Sequence, residues 1–358
     1  MKNFTYYRPA TLPQALALLD DKWGTCELLA GGTDLLDLQK EYIAQPDKVV
    51  SLNGLKDEAK FSTVFIPADK DKPVRIGAGE ALATIASNNE LKTNFPALTT
   101  AAGDVGGPQI RNMGTLGGNL CQRNRCWYFR DEHAKCLLKG GTKCFAIDGE
   151  NRYHAIFTEN QKCVIVHPST LAPALIALGA SVEVLGPGGT RTIELASFYQ
   201  SPLVATAPPG SGTGSGSGTG SAVKYADRRE HVLAPNEIVV AVNIPRNDLK
   251  NASYEVRQKQ AWDWPLVQAA VAFKFDRKQT SKVKIVLGHV GPTPLLAKDA
   301  SDYFEDKVVN DKTATEAGVL AAKGAKPLSQ NGYKVKLVEV AVKRAILTAA
   351  GMNKYWEA

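Results

Sequence analysis

The sequence lacks several features that mark common classes of membrane and secreted proteins. None of its apolar runs approaches the roughly 18 residues that a membrane-spanning helix needs. Residues 1–9 contain no apolar core of the kind found in secretory signals. We therefore expect a protein without a membrane span that is cytoplasmic, or that is exported only in company with another subunit.

Clustered basic residues are also missing. The net charge is +7, from 43 Lys and Arg against 36 Asp and Glu, but no block of consecutive basic residues occurs. This argues against a nucleic-acid surface. The excess favours a solvated basic face, with an acidic cofactor or an acidic partner surface as the alternative.

The residue combinations of common hydrolytic and phosphoryl-transfer sites are absent as well. No Ser/His/Asp triad, paired-carboxylate site or Gly-x4-Gly-Lys-Ser loop can be assembled from the sequence. Asp131 and Glu132 are adjacent, and adjacent side chains do not face a common site. The chain offers no acid–base pair for substrate chemistry of its own.

The length of 358 residues predicts two or three domains, each with its own core. Strand and helix patterns alternate in the first third of the chain, which indicates an α+β or α/β layer structure. The predicted helices lie at 11–19, from 35 onward, at 82–91 and from 96 to 102. The predicted strands lie at 27–30, 48–52 and 74–79.

Two glycine-rich turns stand out in this part of the chain. Residues 30–36 read AGGTDLL and residues 115–121 read TLGGNLC. Paired glycines let a backbone approach a ligand closely, and the exposed N–H groups of such turns bind anions, most often phosphate. Two such turns, each flanked by Thr, predict a pyrophosphate held from two sides.

The rest of the chain divides at a segment of low complexity. Residues 208–221 are almost entirely Gly, Ser, Thr and Pro and predict a flexible surface loop. Before it we expect strands at 163–166 and 181–185 with a helix at 171–178 between them. After it, a strand at 237–242 should open a second unit, with strands at 266–275 and 283–290 and helices at 314–322 and 334–350.

Five of the six cysteines fall close together, with no Cys-x-x-Cys pair among them: Cys121, Cys126, Cys136, Cys144 and Cys163. Four thiolates suit tetrahedral zinc or a cubane iron–sulfur cluster. The intervening segment is polar and rich in glycine, so a metal would supply cohesion that its side chains lack. The alternatives are unconnected thiols or disulfides, and disulfides need no such crowding. Cys26 stands apart and predicts a small buried residue.

The two turns, at this separation and with a C-terminal unit after them, resemble the FAD-binding subunit of molybdenum hydroxylases. That family includes xanthine dehydrogenases, carbon monoxide dehydrogenases and aldehyde oxidoreductases. The resemblance covers nearly the whole chain apart from the segment at 208–221. It implies an α+β fold of the PCMH type, with two subdomains that clasp an extended FAD, followed by a smaller α+β domain of the CO dehydrogenase flavoprotein type. The implied domains are residues 1–222 and 223–358.

The cysteine segment, residues 121–163, is similar to that of the flavin subunit of bacterial periplasmic aldehyde oxidoreductases, which carries an additional [4Fe–4S] cluster. Transferred by position, the resemblance makes Cys126, Cys136, Cys144 and Cys163 the cluster ligands. Cys121 is then a spare thiol beside the second turn, although either Cys121 or Cys126 could supply the first ligand.

The same resemblance implies the FAD contacts. The first turn would take the pyrophosphate, while the second would hold the phosphate and ribitol side, and Arg125 would add charge near the flavin. Relatives often carry an acidic residue after a His-Pro-Ser sequence, where this chain has Thr170, which keeps a hydroxyl but no charge. The implied cofactor-binding residues are Leu29, Ala30, Gly31, Gly32, Thr33, Asp34, Leu35, Thr115, Gly117, Gly118, Asn119, Arg125 and Thr170.

As a function, the resemblance implies electron transfer without substrate chemistry. A large subunit with molybdenum cofactor would oxidise the substrate, and a small [2Fe–2S] subunit would pass electrons to FAD, which delivers them to an external acceptor. Two rival hypotheses are a self-sufficient flavin oxidoreductase of the same fold and a zinc-stapled binding module without flavin.

Overall fold

The described part of the chain forms three β-sheets, each with its own helices. The structure is a computed structural model and describes residues 1–55, 58, 60–158, 162–202, 229–260, 262–352 and 356. The loop predicted at 208–221 lies outside these residues. Helices and largely antiparallel sheets occupy separate layers, so the architecture is α+β.

The first sheet is parallel, with the strand order β1-β3-β2. Its elements are β1 (Thr5–Tyr7), α1 (Leu12–Ala17), β2 (Cys26–Leu29), α2 (Leu35–Lys40) and β3 (Lys48–Ser51). Helix α1 begins where the sequence predicts it because Thr11 and Gln14 form a capping box. The first glycine turn joins β2 to α2 and so lies at the carboxyl edge of the sheet, where parallel sheets usually bind ligands.

The second sheet is antiparallel, with the order β4-β5-β8-β6-β7. Its strands are β4 (Val64–Phe65), β5 (Val74–Gly77), β6 (Ser181–Gly186), β7 (Gly189–Glu194) and β8 (Ile238–Ile244). The prediction that residues 237–242 open the second unit is wrong, because β8 pairs with both β5 and β6. Nearly all residues of β8 are buried, as a central strand requires.

Six helices accompany this sheet: α3 (Leu82–Ser87), α4 (Asn89–Asn94), α5 (Pro96–Asp104), α6 (Pro108–Met113), α7 (Leu116–Cys121) and α10 (Leu171–Ala177). The single helix predicted at 82–91 is divided at Asn88. Its side-chain oxygen accepts a hydrogen bond from the backbone N–H of Leu91 at 3.0 Å and thereby caps α4. The apolar helix predicted at 171–178 is confirmed as α10, and all seven of its residues are buried.

The third sheet is antiparallel, with the order β12-β11-β10-β9. Its elements are β9 (Lys250–Val256), β10 (Val267–Asp276), β11 (Gln279–Gly288), β12 (Leu295–Leu296), α11 (Lys298–Phe304), α12 (Asp311–Ala322) and α13 (Tyr333–Ala349). Along β10, Val271 and Phe273 pack in the core of the C-terminal helices, whereas Ala270 and Ala272 pack in the core of the first unit. Both faces of the strand are therefore covered. In the described ranges, no helix is both long and apolar enough to cross a membrane.

The cysteine segment carries two short helices, α8 (Trp127–Arg130) and α9 (Phe145–Asp148), and a 3-10 turn at Leu137–Lys139. The strand predicted at 163–166 is wrong. Cys163, Val164 and Ile165 are buried, but they join no sheet. The Val164 carbonyl instead accepts a hydrogen bond from the Ala155 N–H at 3.0 Å, so this apolar stretch packs within the cysteine segment.

Candidate functional site

A cavity of about 1040 Å³ lies between the two glycine turns. This volume matches the upper range of sites for small organic ligands and cofactors. Of the residues expected to bind the cofactor, all except Leu29 line the cavity: Ala30, Gly31, Gly32, Thr33, Asp34, Leu35, Thr115, Gly117, Gly118, Asn119, Arg125 and Thr170.

The second turn is held rigidly by its own backbone. The Thr115 hydroxyl accepts a hydrogen bond from the Gly118 N–H at 3.1 Å and caps α7. The Gly117 N–H donates to the Ala78 carbonyl at 2.8 Å, just after β5. A Cβ on Gly117 would lie 2.9 Å from the Ala78 Cβ, so this glycine is required by packing against the sheet.

The first turn packs directly against the chain that leads into the second. A Cβ on Gly31 would lie 1.8 Å from the Met113 carbonyl oxygen, a distance that no side chain tolerates. Gly32 adopts a left-handed conformation with φ of +76°. Gly31 is therefore required by the contact between the turns and Gly32 by its own backbone conformation, and both line the cavity.

Gly118 also lines the cavity and has more open surroundings than Gly31 or Gly117, since no backbone atom outside its own helix lies within 4 Å of a Cβ placed on it. A Cβ placed on it would lie 3.0 Å from the Thr115 Oγ1 and 3.9 Å from the Ala30 Cβ. Such a Cβ would therefore occupy the gap between the turns. The second turn offers a close-approaching backbone, but its N–H groups from Leu116 to Asn119 are all bound within the protein. The backbone donors for a bound pyrophosphate would therefore come from the first turn, which faces the cavity from the other side.

Asp34 forms ion pairs with two arginines close to the first turn. Its carboxylate lies 2.6 Å from the Arg130 guanidinium and 2.9 Å from that of Arg125, and it accepts a hydrogen bond from the Arg123 N–H at 2.9 Å. Arg130 also reaches Asp37 at 2.6 Å. The sequence gives no hint of this network, because its partners lie about 90 residues apart.

Arg125 adds a cation to the cavity wall. Its guanidinium donates to the Gln122 side chain at 3.0 Å and lies 4.5 Å from the centre of the Trp264 ring. Its Nε is buried and has no hydrogen-bond partner among the described residues. Burial lowers the pKa of Arg125 to about 10, which leaves it charged at neutral pH. A buried cation with a spare donor suits an anionic or carbonyl-bearing cofactor.

Sequence reasoning missed several residues of the cavity wall. Trp262 and Trp264 line one part of it together with Asp104, and Arg229 and His231 line another. Arg229 pairs with Glu27 at 2.8 Å and lies over the Trp23 ring at 4.3 Å. The signal that could have found the first group is the sequence WDWP at 262–265, in which two large aromatics stand beside a proline.

The four cysteines predicted as metal ligands share one small cavity, which is also lined by Tyr128, Phe145 and His154: Cys126, Cys136, Cys144 and Cys163. Cys121 is separate from them and lines the large cavity. The six cysteines are all free. Across the described ranges, however, no group of three or more His, Cys, Asp or Glu side chains is arranged so that it could hold a metal ion.

Two of these thiols interact directly. A hydrogen bond from the Cys163 thiol lowers the pKa of Cys144 below its usual value, and the same contact together with burial raises that of Cys163. Burial raises the pKa of Cys126 to about 12, and its Sγ lies 3.2 Å from the His154 Nε2. The cysteines are thus gathered and buried, and Cys144 is the thiol that loses its proton most readily.

Comparison with known proteins agrees with this arrangement. Residues 2–247 match the family of FAD-binding domains in molybdopterin dehydrogenases. Residues 252–349 match the C-terminal domain of CO dehydrogenase flavoproteins. The chain therefore belongs to the FAD-binding subunits of the molybdenum hydroxylase family, and it is an oxidoreductase flavoprotein subunit. The family and the α+β fold class predicted from the sequence are confirmed.

Individual relatives match over almost the full chain. The chain is 30% identical over 344 residues to the aldehyde oxidoreductase FAD-binding subunit PaoB of Escherichia coli (strain K12), which covers 95% of this chain and 96% of that protein. It is 24% identical over 358 residues to the carbon monoxide dehydrogenase medium chain of Afipia carboxidovorans, with 98% of each covered. The crystal structure of quinoline 2-oxidoreductase from Pseudomonas putida 86 has the same fold, with a TM-score of 0.71 at 21% identity over 98% of this chain and 99% of that one.

Proposed function

We propose that this chain is the electron-transfer subunit of a molybdenum hydroxylase complex and carries both FAD and a [4Fe–4S] cluster. In this proposal it receives electrons from an iron–sulfur partner subunit and passes them to an external acceptor. The observation that carries the proposal is that two cavities lie close together. One lies between the two glycine turns, and the other is smaller and lined by four cysteines.

Different residues of the large cavity would hold different parts of FAD. Gly118 and the first turn would hold the pyrophosphate, with Thr115 fixing the second turn through its cap. Arg125 would supply a buried positive charge. When bound, FAD accepts and stores two electrons. The chain itself positions the cofactor and excludes water, which agrees with the lack of an acid–base pair in the sequence.

The case for the cluster rests on donor chemistry. Four thiols are the ligand set of a [4Fe–4S] cluster, and here they converge on one buried cavity from α8, the 3-10 turn, α9 and the stretch at 163–165. Because the four side chains are not arranged around a metal in this structure, metal uptake would have to draw them together. Each thiol would also lose its proton, since the metal binds thiolates. Asp34 links Arg130 of this segment to the first turn, so the cluster would lie next to the FAD cavity.

The proposed partners follow from the relatives. PaoB is named as an FAD-binding subunit, and the carbon monoxide dehydrogenase relative as a medium chain. We extend this to a complex with a molybdenum-cofactor large subunit and a [2Fe–2S] small subunit, in the cytoplasm or exported with a partner. We also propose two units, with the boundary moved from residue 222 to about residue 247, so that β8 stays with its sheet.

The test is cofactor analysis of the protein purified without oxygen. We expect a flavin absorption spectrum with one FAD per chain, and about four irons with matching sulfide. FAD without iron would overturn the cluster alone. A colourless protein that contains zinc would favour a zinc-stapled module and overturn the whole proposal.

A second measurement tests electron transfer. The complex should carry electrons from the molybdenum subunit's substrate to a dye acceptor only when this chain is present. Substrate turnover by the isolated chain would instead favour a self-sufficient flavin oxidoreductase.

A further inference from the structure

Glu255 is a buried carboxyl group close to the FAD cavity. It lies on β9, directly opposite Gln268 of β10, and its side chain is only 2% exposed. Neither carboxyl oxygen has a hydrogen-bond partner among the described residues. An ionised carboxylate in such a place is costly, so the group requires a physical explanation.

The Arg257 guanidinium lies between two acidic side chains, those of Glu255 and Asp104. The Arg257 Nε lies 3.8 Å from Glu255, and the same guanidinium contacts the Asp104 carboxylate at 3.2 Å and donates to the Asp104 carbonyl at 2.7 Å. Arg111 is the other cation that faces Asp104. Because Arg257 pairs more closely with Asp104, the more deeply buried Glu255 keeps its proton. Burial and the nearby Asp104 raise its pKa well above the usual value.

The two acids differ in their access to the cavity. Asp104 lines the cavity wall and its side chain is 30% exposed, whereas Glu255 lies behind the wall. Thr170 also lines the cavity, and its side chain is close enough to Glu255 to influence the pKa of that carboxyl. Gln268, which lies directly opposite Glu255 on the sheet, donates to the Thr170 carbonyl at 2.8 Å and so holds this threonine near the acid. A hydroxyl that can both accept and donate thus stands between the buried acid and the cavity.

We propose that Glu255 is the internal proton donor for reduction of the bound FAD, acting through the Thr170 hydroxyl. Two electrons from the partner's one-electron carrier and two protons convert FAD to its reduced form, with one proton from Glu255 and one from solvent. When both electrons leave for the acceptor, one proton returns to the Glu255 carboxylate and the other to solvent. In between, the Glu255 carboxylate faces the Arg257 guanidinium at 3.8 Å. The inference rests on the proposed function, because it requires bound FAD.

The decisive experiment uses the purified holoprotein and Glu255→Gln, which keeps the shape of a protonated acid but cannot release a proton. In the wild type, the infrared difference spectrum between oxidised and electrochemically reduced protein should lose a protonated-carboxyl band, and E255Q should lack that change. The midpoint potential of FAD should fall less steeply with pH in the wild type than in E255Q, because one proton fewer comes from solvent for each two electrons.

Thr170→Val tests the route separately, because it removes the hydroxyl at nearly constant volume. Both T170V and E255Q should slow reduction of bound FAD by dithionite about 100-fold while FAD content stays the same. The exposed Glu90→Gln serves as the control and should change nothing.

Three results would overturn the inference: a wild type without the carboxyl change, an E255Q variant that retains it, or equal pH slopes in both proteins. A wild type that binds no FAD would overturn the proposed function as well, so the two failures are distinguishable. A merely structural role for Glu255 would lower the melting temperature of E255Q and leave the infrared change and the pH slope as they are.

Discussion

The carboxylate of Asp34 lies 2.6 Å from the guanidinium of Arg130, and this contact joins the first glycine turn to the cysteine segment. The two residues are separated by 96 positions in the sequence. Both side chains are largely buried, with 18% and 12% of their surface exposed. Asp34 lines the large cavity and Arg130 closes the short helix that follows Cys126, so this ion pair ties the large cavity to the cysteine segment.

Asp34→Asn should destabilise the junction between the first glycine turn and the cysteine segment. The substitution leaves the guanidiniums of Arg125 and Arg130 without their shared counter-charge, and breaking such a buried pair costs about 3 kcal/mol. Asp37→Asn is the matched control, because Asp37 pairs with the same Arg130 but is 51% exposed and should cost less than about 1 kcal/mol. Urea unfolding at pH 7 measures both. Equal effects of the two variants would show that the buried Asp34 does not hold this junction together.

Gly118→Val should weaken FAD binding while the protein stays folded. The added side chain would enter the gap between Gly118 and Ala30, and overpacking of this kind costs about 1–3 kcal/mol, or about 5- to 150-fold in affinity. Gly188→Ala is the control, since a Cβ there meets no atom within 4 Å. Flavin content after gel filtration reports the outcome. Full retention of FAD in G118V would count against this placement of the cofactor.

Gly31→Ala should act differently, on folding itself. The new Cβ would collide with the Met113 carbonyl, so the two turns would have to separate. We expect loss of several kcal/mol of stability and little soluble protein. The melting temperature of the FAD-free protein is the measurement, because it distinguishes this effect from loss of binding. An unchanged melting temperature would show that the turns do not rest on each other.

Cys144→Ser should remove about four irons per chain and leave FAD in place, because Cys144 lies in the small cavity only. Cys121→Ser is the matched comparison, since Cys121 lines the other cavity. Its iron content should equal that of the wild type. Iron and sulfide analysis of both variants checks this, and loss of iron in C121S with retention in C144S would reverse the ligand assignment.

Acid should destabilise the protein through its buried histidines, three of which lie away from the cysteine cavity that His154 lines. Burial lowers the pKa of His167 to about 4, and that of His231 and His289 to about 3. The unfolded chain, with histidine pKa values near about 6.5, binds more protons below that pH, so stability is present above it and is lost as the pH falls toward 4. Each histidine should cost about 2 kcal/mol at pH 5 relative to pH 7.

His289→Asn tests this pH dependence without straining the backbone, because asparagine tolerates the φ of +62° at this position. The variant should lose about one third of the fall in unfolding free energy between pH 7 and pH 5 that the three histidines cause. A curve as steep as that of the wild type would exclude His289 as one of the titrating groups.

The parts of the fold that the sequence predicts correctly are those that depend on local signals. Helix α1 has a capping box at Thr11, and α13 has an apolar stripe with Val338 and Val342 on its buried face. Long-range pairing escapes such reasoning. The apolar pattern at residues 238–244 is compatible with any sheet, and only its partners β5 and β6 assign it to the first unit.

The candidate site shows the same division. Both glycine turns are visible in the sequence, but the sequence does not separate Gly31, which is required by the Met113 backbone, from Gly118, which has more open surroundings. Trp262 and Glu255 also escape notice, because one lies in a loop and the other on an ordinary strand. Their roles depend on contacts with residues more than 80 positions away.

Tyr199 forms a bridge with His231, and the Gln200 N–H donates to the Glu230 carbonyl, so the described stretches that end at residue 202 and begin at residue 229 are joined to each other. These two contacts fix the distance between the end of β7 and the start of β8, whatever number of residues lies between them. Insertions and deletions between Gln200 and Glu230 should therefore leave the sheet in register. This position suits a genetically fused reporter. The freedom ends at Arg229 and His231, which already belong to the cavity wall.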